Sequence, residues 1–268
     1  MLEILIPEQL QTCRDIFPNA AFHLKAIDLE LLNEHILSAE KRFVHSHLSP
    51  SEQERFFSFK YRKRQVEWLG GRVAAKKALR GLLAALNYTT PEMTDLSINS
   101  TPEGRPFLQS HLVTLPVDIS ISHSGNRATA LAATKCLCGI DIQEITKTIS
   151  KVKSRFITPP EEQSIRQLPC LRSFDEETPL ALIWSAKEAF RKGVPNKPVL
   201  GFSEVTLREV TGTVSQGFLG IFDCNRPGVA GPLKVFFTLS GQFAIAITCT
   251  TLTPMLRNDG LKRSVVKP

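Results

Sequence analysis

The sequence contains no long uninterrupted apolar run, and its first residues, Met-Leu-Glu-Ile-Leu-Ile-Pro, carry no basic leader. A membrane-spanning helix needs about 20 apolar residues, and a secretory signal needs a charged start before its apolar segment. These absences argue against a membrane or secreted protein. With 42% hydrophobic and 22% charged residues the composition is typical of a globular protein, and we expect it in the cytoplasm with no membrane partner.

Paired spacings of metal-binding cysteines and histidines are also missing. The chain has six cysteines, none in a Cys-x-x-Cys pair, and no His-x3-His spacing. We therefore expect free thiols in a reducing compartment rather than disulfides or a zinc site. The six are Cys13, Cys136, Cys138, Cys170, Cys224 and Cys249.

Acidic residues are scarce in one segment of a chain whose formal net charge is +7. Between Arg55 and Arg80, nine basic residues stand against the single acid Glu67. Such a stripe indicates an anionic partner, which is a nucleic acid, a phosphorylated small molecule or an acidic protein, although a solvated helical face explains some of these side chains. No recognisable nucleic-acid motif accompanies the stripe, so we expect no nucleic-acid partner.

The stretch Leu182–Gly193 contains no Gly or Pro before its last residue, which predicts a helix that ends there. A period of 3.6 residues places Trp184, Glu188 and Lys192 on one face. Alone, this spacing is typical of an ordinary amphipathic helix with a surface Glu-Lys pair.

A second acid favours a metal site over a simple surface pair. Asp141 lies inside Gly139–Ile142, a short apolar β-branched run that predicts a strand. A carboxylate there is costly unless it is paired or metal-bound. Asp141 and Glu188 are able to meet on a hard cation such as Mg2+, which takes oxygen ligands and commonly bridges to phosphates, with Lys192 beside those phosphates.

Gly-Ile-Asp-Ile at 139–142, followed by Trp-Ser-Ala-Lys-Glu-Ala-Phe-Arg-Lys at 184–192, resembles the signature of 4'-phosphopantetheinyl transferases. The chain length and Ser-His-Ser-Gly at 122–125 resemble the surfactin-synthetase-activating class rather than the short trimeric holo-ACP synthase class. The resemblance implies a Mg2+-dependent enzyme, with Mn2+ as the other option. Its reaction moves the phosphopantetheine arm of coenzyme A to a serine of apo acyl, peptidyl or aryl carrier proteins and releases 3',5'-ADP.

By position, the resemblance implies that Asp141 and Glu188 are metal ligands, that Glu188 is also the general base, and that Lys192 contacts phosphate. Gln143 stands where some members carry a third acid, and either its neutral oxygen or water completes the metal site. The positions that resemble coenzyme A contacts are Arg55, Thr101, Gly104, Arg105, Ser122 and His123, with Arg105 in place of a lysine in the family's Gly-Lys-Pro turn.

Two segments carry the same helix-start signal. Ser49-Pro-Ser-Glu52 and Thr158-Pro-Pro-Glu161 each combine a capping hydroxyl, a proline and a glutamate at the third helical position. We expect the first of these helices to run to about Lys63, and a second to extend from about Val66 to Leu86.

Three short matches in one order indicate an internal repeat. Ala26–Glu30 matches Gly139–Gln143, Ala75–Leu79 matches Ala186–Phe190, and Ser124–Ala130 matches Ser240–Ala246. This alignment sets Asp28 against Asp141 and Lys77 against Glu188, so the first half lacks the second carboxylate that a metal needs. We expect one metal site.

The fold class expected from the repeat and the resemblance is α+β, a pseudo-dimer of two similar halves with the active site in the cleft between them. We expect an N-terminal half, 1–135, that mainly binds coenzyme A, a C-terminal half, 136–255, that carries the metal site, and a loose tail, 256–268. The pseudo-dimer favours a monomer. Coenzyme A and acidic apo carrier domains are the expected partners, and the alternative function is a non-catalytic module that binds them, which Gln143 supports.

Overall fold

The computed structural model describes residues 2–195, 200–224 and 231–251, so the tail predicted for 256–268 lies outside the described residues. The helices and strands fall into two sets in chain order. The first set is β1 (Glu3–Ile4), α1 (Glu8–Thr12), β2 (Ala21–Asp28), α2 (Leu29–His47), α3 (Pro50–Phe57), α4 (Arg62–Ala85), β3 (Ser97–Ser100), β4 (Pro106–Gln109), β5 (Val117–Ser124) and β6 (Arg127–Thr134). The second set is β7 (Leu137–Glu144), α5 (Thr148–Lys151), α6 (Pro159–Arg166), α7 (Glu177–Lys192), β8 (Val205–Thr213), β9 (Gly217–Cys224), β10 (Leu233–Ser240) and β11 (Phe243–Thr250).

Each set builds one antiparallel sheet. The first sheet has the order β1-β2-β6-β5, and the second has the order β7-β11-β10-β9-β8, while β3 and β4 form a separate hairpin. The order β2-β6-β5 repeats as β7-β11-β10, and one long helix packs across each, α4 on the first and α7 on the second. The fold is therefore α+β with two similar halves, which confirms the predicted fold class. The division at 135 and 255 stays a prediction.

A buried glutamate fixes the helices of the first half to one another. Glu52, three residues after the predicted cap Ser49, accepts a hydrogen bond from the Ser49 backbone N–H at 2.9 Å. Its other oxygen accepts from the backbone N–H of Ile98 at 2.9 Å, and its carboxylate pairs with Lys76 of α4, which is fully buried. These bonds satisfy both oxygens of the buried carboxylate and hold α3 and α4 together.

The second half repeats this arrangement. Glu161 accepts from the backbone N–H of Thr158 at 2.8 Å and from that of Leu207 at 2.7 Å, and it pairs with the buried Lys187 of α7 at 2.8 Å. Both helix starts were predicted from the sequence, but the two lysines were not assigned to them. Lys76 is thus a core residue and neither a phosphate ligand nor a solvated side chain.

The first of the predicted helices is shorter than expected. α3 ends at Phe57, where the hydroxyl of Ser58 donates to the carbonyl of Arg55 at 2.7 Å, and α4 begins at Arg62. The four residues between the helices place the ring of Phe59 against Trp68, 5.7 Å between centroids. The prediction of one helix to Lys63 missed this turn, because no Gly or Pro marks it.

Strand register corrects the sequence alignment of the two halves. The hairpins β5-β6 and β10-β11 share a Ser-Gly turn, and Ala130 and Ala246 lie six residues past its serine. Lys25 pairs with Ala130 across β2 and β6, whereas Asp141 pairs with Ala246 across β7 and β11. Lys25, not Asp28, therefore takes the place of Asp141. Asp28 instead caps α2, accepting from the N–H of Glu30 at 2.9 Å.

Strand β5 of the first half runs along β7 of the second. Its polar side chains accept hydrogen bonds from the β7 backbone: Asp118 from Cys138 at 2.7 Å, Ser120 from Ile140 at 3.0 Å, and Ser124 from Glu144 at 3.0 Å. The seam between the halves thus passes alongside β7, the strand that carries the predicted metal ligand.

Among the described residues, no helix combines the length and the apolar character needed to cross a membrane. Cys13, Cys136, Cys138, Cys170 and Cys249 are free thiols, as expected.

Candidate active site

Helix α7 crosses β7 at Gly139. A Cβ atom at this position would lie 1.9 Å from the carbonyl oxygen of Ala189, so only glycine allows the helix to come this close to the strand. Leu182, Ala186 and Phe190 of α7 are fully buried. A period of 3.6 residues sets Glu188 and Lys192 on the opposite side of the helix. The glycine of Gly-Ile-Asp-Ile therefore brings the acid of the helix to the acid of the strand.

Asp141 is 5% exposed and is held from both halves. Its Oδ1 accepts a hydrogen bond from the hydroxyl of Ser122 at 2.6 Å and from Nζ of Lys192 at 2.7 Å. Lys192 also donates to the carbonyl of Ile140 at 3.1 Å. The other oxygen, Oδ2, is buried and has no hydrogen-bond partner among the described residues. A buried carboxylate oxygen left without a partner is costly, and a cation would satisfy it.

Glu188 lies in an environment that disfavours its charge. Burial first, and then the charge of Asp141, raise the pKa of Glu188 above its usual value, although Lys192 and Arg191 act in the opposite direction. Arg191 forms an ion pair with Glu188. Two neighbouring carboxylates of this kind suit a hard divalent cation, because its charge relieves their repulsion.

Few protein side chains near Asp141 and Glu188 could coordinate a metal ion. Within the described ranges, no group of three or more His, Cys, Asp or Glu side chains is arranged to hold a metal ion. Asp141 and Glu188 could supply two oxygen ligands to a Mg2+ ion, whose remaining ligands would be phosphate and water.

His123 lies beside this carboxylate pair. Burial holds the pKa of His123 below its usual value, with Glu67 acting in the opposite direction and Arg64 and Lys192 adding to the effect. Its Nε2 is 3.4 Å from Oε2 of Glu67, the one acid of the basic stripe. An open cleft of about 770 Å³ where the halves meet is bordered by Glu67, Glu144 and Phe243.

The basic stripe forms a cluster of guanidinium groups and aromatic rings. Arg55 lies over the ring of Phe59 at 4.9 Å, and Arg72 lies over the ring of Trp68 at 4.8 Å. Burial, with a contribution from Arg64 and Arg55, lowers the pKa of Arg72 to about 10, and its Nε is buried without a partner among the described residues. A desolvated cation of this kind favours an anionic ligand.

Hydrogen bonds close the turn from Thr101 to Arg105. Gly104 has φ +88°, and its N–H donates to the Thr101 carbonyl at 2.8 Å, while the Thr101 hydroxyl accepts from the Arg105 N–H at 3.2 Å. The guanidinium of Arg105 is bonded to other groups of the protein. It pairs with Asp118 and donates to the carbonyl of Lys192 at 2.6 Å.

Comparison with known proteins assigns the chain to a family. The model of the 4'-phosphopantetheinyl transferase superfamily matches residues 137–246, which include Asp141, Glu188 and Lys192. The chain is 36% identical over 94 residues to the holo-[acyl-carrier-protein] synthase of Lactococcus lactis subsp. lactis (strain IL1403), covering 35% of this chain and 79% of that protein. The chain belongs to the 4'-phosphopantetheinyl transferase superfamily.

Other relatives of this transferase match the same extent of chain. The holo-[acyl-carrier-protein] synthase of Geobacillus sp. (strain WCH70) is 31% identical over 104 residues, covering 39% of this chain and 86% of that protein. A crystal structure of a holo-(acyl-carrier-protein) synthase from Bacillus anthracis str. Ames in complex with CoA (3',5'-ADP) is similar at 24% identity and a TM-score of 0.36, covering 42% of this chain and 94% of that chain. The family match and the two sequence relatives confirm the superfamily predicted from the motifs.

Gln143 is the position where this transferase departs from members with a third acid. Its side-chain amide donates to the carbonyl of Glu144 at 2.8 Å. The neighbouring Glu144 carboxylate lies against the Ser-Gly turn, and a Cβ atom on Gly125 would be only 2.7 Å from it. The roles of both residues toward a metal stay predictions.

The site predicted from the sequence left out three side chains that the structure places beside it. Glu67 lies next to His123, Arg72 extends the guanidinium cluster of Arg55, and Asp118 binds Arg105. Two of them had a usable signal. Glu67 is the only acid in the basic stripe, and Arg72 follows Gly70-Gly71 at a helix-sheet contact.

Proposed function

We propose that this chain transfers the 4'-phosphopantetheine group of coenzyme A to a serine hydroxyl of apo carrier proteins, giving holo carrier protein and 3',5'-ADP. The observation that carries the proposal is the buried Asp141, with Lys192 bonded to it and Glu188 beside it, in a chain of this superfamily. The reaction brings a neutral hydroxyl to a crowded pyrophosphate, so it needs charge neutralisation and a base.

Asp141 and Glu188 would hold a divalent cation, Mg2+ or Mn2+. When bound, it neutralises the pyrophosphate and so eases attack at phosphorus. The unpartnered Oδ2 of Asp141 and the raised pKa of Glu188 support this assignment, since the first leaves an oxygen open to a ligand and the second indicates a carboxylate whose charge is not fully compensated.

Glu188 would also accept the proton of the attacking serine, directly or through water. A carboxylate whose pKa is raised by burial is a stronger base than one in water, which suits this role. Lys192 is anchored to Asp141 at 2.7 Å and would bring its ammonium to the phosphates. Ser122 donates to Asp141 at 2.6 Å, so its hydroxyl would orient the metal ligand in addition to the predicted coenzyme A contact.

The guanidinium cluster around Arg55 and Arg72 would bind phosphate groups of coenzyme A. Among the residues that the structure describes, no ion pair joins either guanidinium to an acid: Glu52, the acid that attracts Arg72, is already paired with Lys76. His123, held largely neutral, would donate one N–H to a phosphate oxygen. Thr101 and Gly104 would shape the turn beside the nucleotide.

The surfactin-synthetase-activating class is part of the same proposal, because the chain supplies two similar halves and the Ser-His-Ser-Gly turn. A protein that contains both halves needs no second copy to complete a cleft between them, which supports a monomer. The basic stripe suits acidic carrier domains. A cytoplasmic location belongs to the proposal as well, since five cysteines are free thiols.

Intact-mass spectrometry of an apo acyl carrier protein tests the proposal. The carrier is incubated with this protein, coenzyme A and Mg2+, beside a reaction that contains EDTA. A metal-dependent gain of one phosphopantetheine is expected. No gain across acyl, peptidyl and aryl carriers, with coenzyme A still bound, would favour the non-catalytic binding module, for which Gln143 is the supporting residue.

A further inference from the structure

Arg105 connects the first half of the protein to the end of the catalytic helix. Its Nη1 donates to the carbonyl of Lys192, the last residue of α7, at 2.6 Å. Its Nε donates to Oδ1 of Asp118 at 3.2 Å, and its Nη2 pairs with Oδ2 of the same carboxylate. All three guanidinium nitrogens are therefore engaged within the protein.

Asp118 extends the connection to the strand that carries the proposed metal ligand. Its Oδ2 accepts from the backbone N–H of Cys138 at 2.7 Å, three residues before Asp141. The Arg105–Asp118 pair thus joins the C-terminal end of α7 to the beginning of β7. Lys192 lies at the first of these ends, and its ammonium binds Asp141.

The environment of Arg105 differs from that of the guanidinium groups proposed to bind phosphate. Arg105 has a bidentate carboxylate partner, and its side chain is 24% exposed beside an Asp118 that is 16% exposed. A guanidinium that is paired with a carboxylate and donates from all three nitrogens within the protein is less available to a ligand than an unpaired one. Arg72, in contrast, has a buried Nε without a partner among the described residues.

We propose that Arg105 is a positioning residue for the transfer reaction and not a coenzyme A ligand: it fixes the last turn of α7, and with it Lys192, relative to Asp141. The inference rests on the proposed function. Carbonyl groups at a helix C-terminus have no partner within the helix, so losing the Arg105 bond frees the turn that holds Lys192. A lysine cannot replace the arginine here, because one ammonium does not reproduce the planar fork that reaches two carboxylate oxygens and a carbonyl.

Kinetics of Arg105→Lys, Arg105→Gln and Asp118→Asn test the proposal, with Arg208→Lys as a matched control in the exposed Arg208–Asp223 pair of β8 and β9. We expect kcat to fall about 10-fold or more in the three site variants while KM for coenzyme A stays within about 2-fold, because the guanidinium cluster around Arg55 and Arg72 still binds coenzyme A and the displaced Lys192 weakens mainly the transition state. The double variant Arg105→Gln/Asp118→Asn is expected to be no worse than either single change, since both break one connection. Normal kcat in Arg105→Lys, or an increase of about 10-fold in KM with kcat preserved in Arg105→Gln, would overturn the proposal.

A second measurement does not depend on turnover. Labelling with acetic anhydride, followed by peptide mass spectrometry, compares Lys192 with the exposed Lys60 in each folded variant. The proposal predicts that Lys192 becomes more reactive in Arg105→Lys and in Asp118→Asn, and unchanged labelling in both contradicts it. If the wild-type protein modifies no carrier, the proposed function fails, and the labelling alone decides whether Arg105 positions Lys192.

Discussion

The two halves carry opposite charges at the same two positions of the repeated unit. In the second half, Asp141 on β7 lies near Glu188 on α7. In the first half, strand register sets Lys25 of β2 in the place of Asp141, and the helix alignment sets Lys77 of α4 in the place of Glu188. Both lysines donate to Glu3 of β1 at 2.7 Å.

The comparison separates the framework of the repeat from its chemistry. Both halves keep the buried pair between a glutamate at a helix start and a lysine of the long helix. The neighbouring charged positions on the strand and the long helix differ between the halves. The second half has acids there that a cation would neutralise, and the first half has lysines that a carboxylate already neutralises. Two ammonium groups exclude a divalent cation by repulsion, so the comparison predicts one metal per chain.

The largest effect is expected when the acid of the catalytic half is neutralised. Glu188→Gln removes a proposed metal ligand and the proposed base together, and the transfer rate should fall by about 1,000-fold or more, with coenzyme A binding weakened by less than about 10-fold. Single-turnover mass spectrometry and calorimetric titration measure the two quantities. Lys77→Gln, at the corresponding position of α4, is the matched control and should keep its activity. Transfer by Glu188→Gln at the wild-type rate would refute the assigned role.

The shared framework predicts equal losses of stability in the two halves. Lys187→Met leaves Glu161 buried without its cation, and Lys76→Met does the same to Glu52, so each should lower the free energy of unfolding by about 3 to 5 kcal/mol. Urea unfolding followed by circular dichroism measures both, with the exposed Lys60→Met as the control. A loss below about 1 kcal/mol in one half only would mean that the two pairs are not equivalent.

Metal stoichiometry tests the difference in charge directly. Titration with Mn2+, followed by electron paramagnetic resonance in the presence of coenzyme A, should show one tight site per chain. Asp141→Asn should weaken that site by about 10-fold to 100-fold, because a hard cation binds a neutral amide oxygen less well than a carboxylate. Lys25→Gln should leave it unchanged. A second tight Mn2+ site in the wild-type protein would contradict the prediction of one metal per chain.

The parts predicted from sequence are those carried by local signals. Gly139 and Asp141 in one short run, the spacing of Glu188 and Lys192, and the two helix starts at Ser49 and Thr158 each depend on neighbouring residues. Helical and strand periodicity were enough to place them.

What was missed depends on contacts between residues far apart in the chain. Arg105 and Lys192 are separated by 87 positions, and no local pattern links them. The mistaken alignment of Asp28 with Asp141 has the same origin, because a short identity in β2 was matched without the pairing of β2 with β6. The register of a strand is set by its pairing with the partner strand, and the sequence of one strand alone does not give that pairing.

The smallest effect is expected at Glu3, the internal counterion of the first half. Burial raises its pKa, but the hydrogen bonds and charges of Lys25 and Lys77 outweigh burial, so the pKa of Glu3 is lowered from its usual 4.5. Glu3→Gln should therefore reduce the free energy of unfolding at neutral pH, by less than about 1 kcal/mol because the ion pairs are partly exposed.

The pH dependence of this loss has a definite sign. A carboxyl group whose pKa is lowered in the folded state stabilises the protein above its unfolded pKa, and this contribution disappears as the pH falls through the folded value. Unfolding curves of Glu3→Gln and wild type should thus differ at pH 7 and converge below about pH 4, as expected from the direction of the shift. A difference in the free energy of unfolding that persists in acid would mean that Glu3 holds β1 in place through packing and not through charge. The ion pairs of Glu3 with Lys25 and Lys77 would then contribute nothing to the stability of the first half.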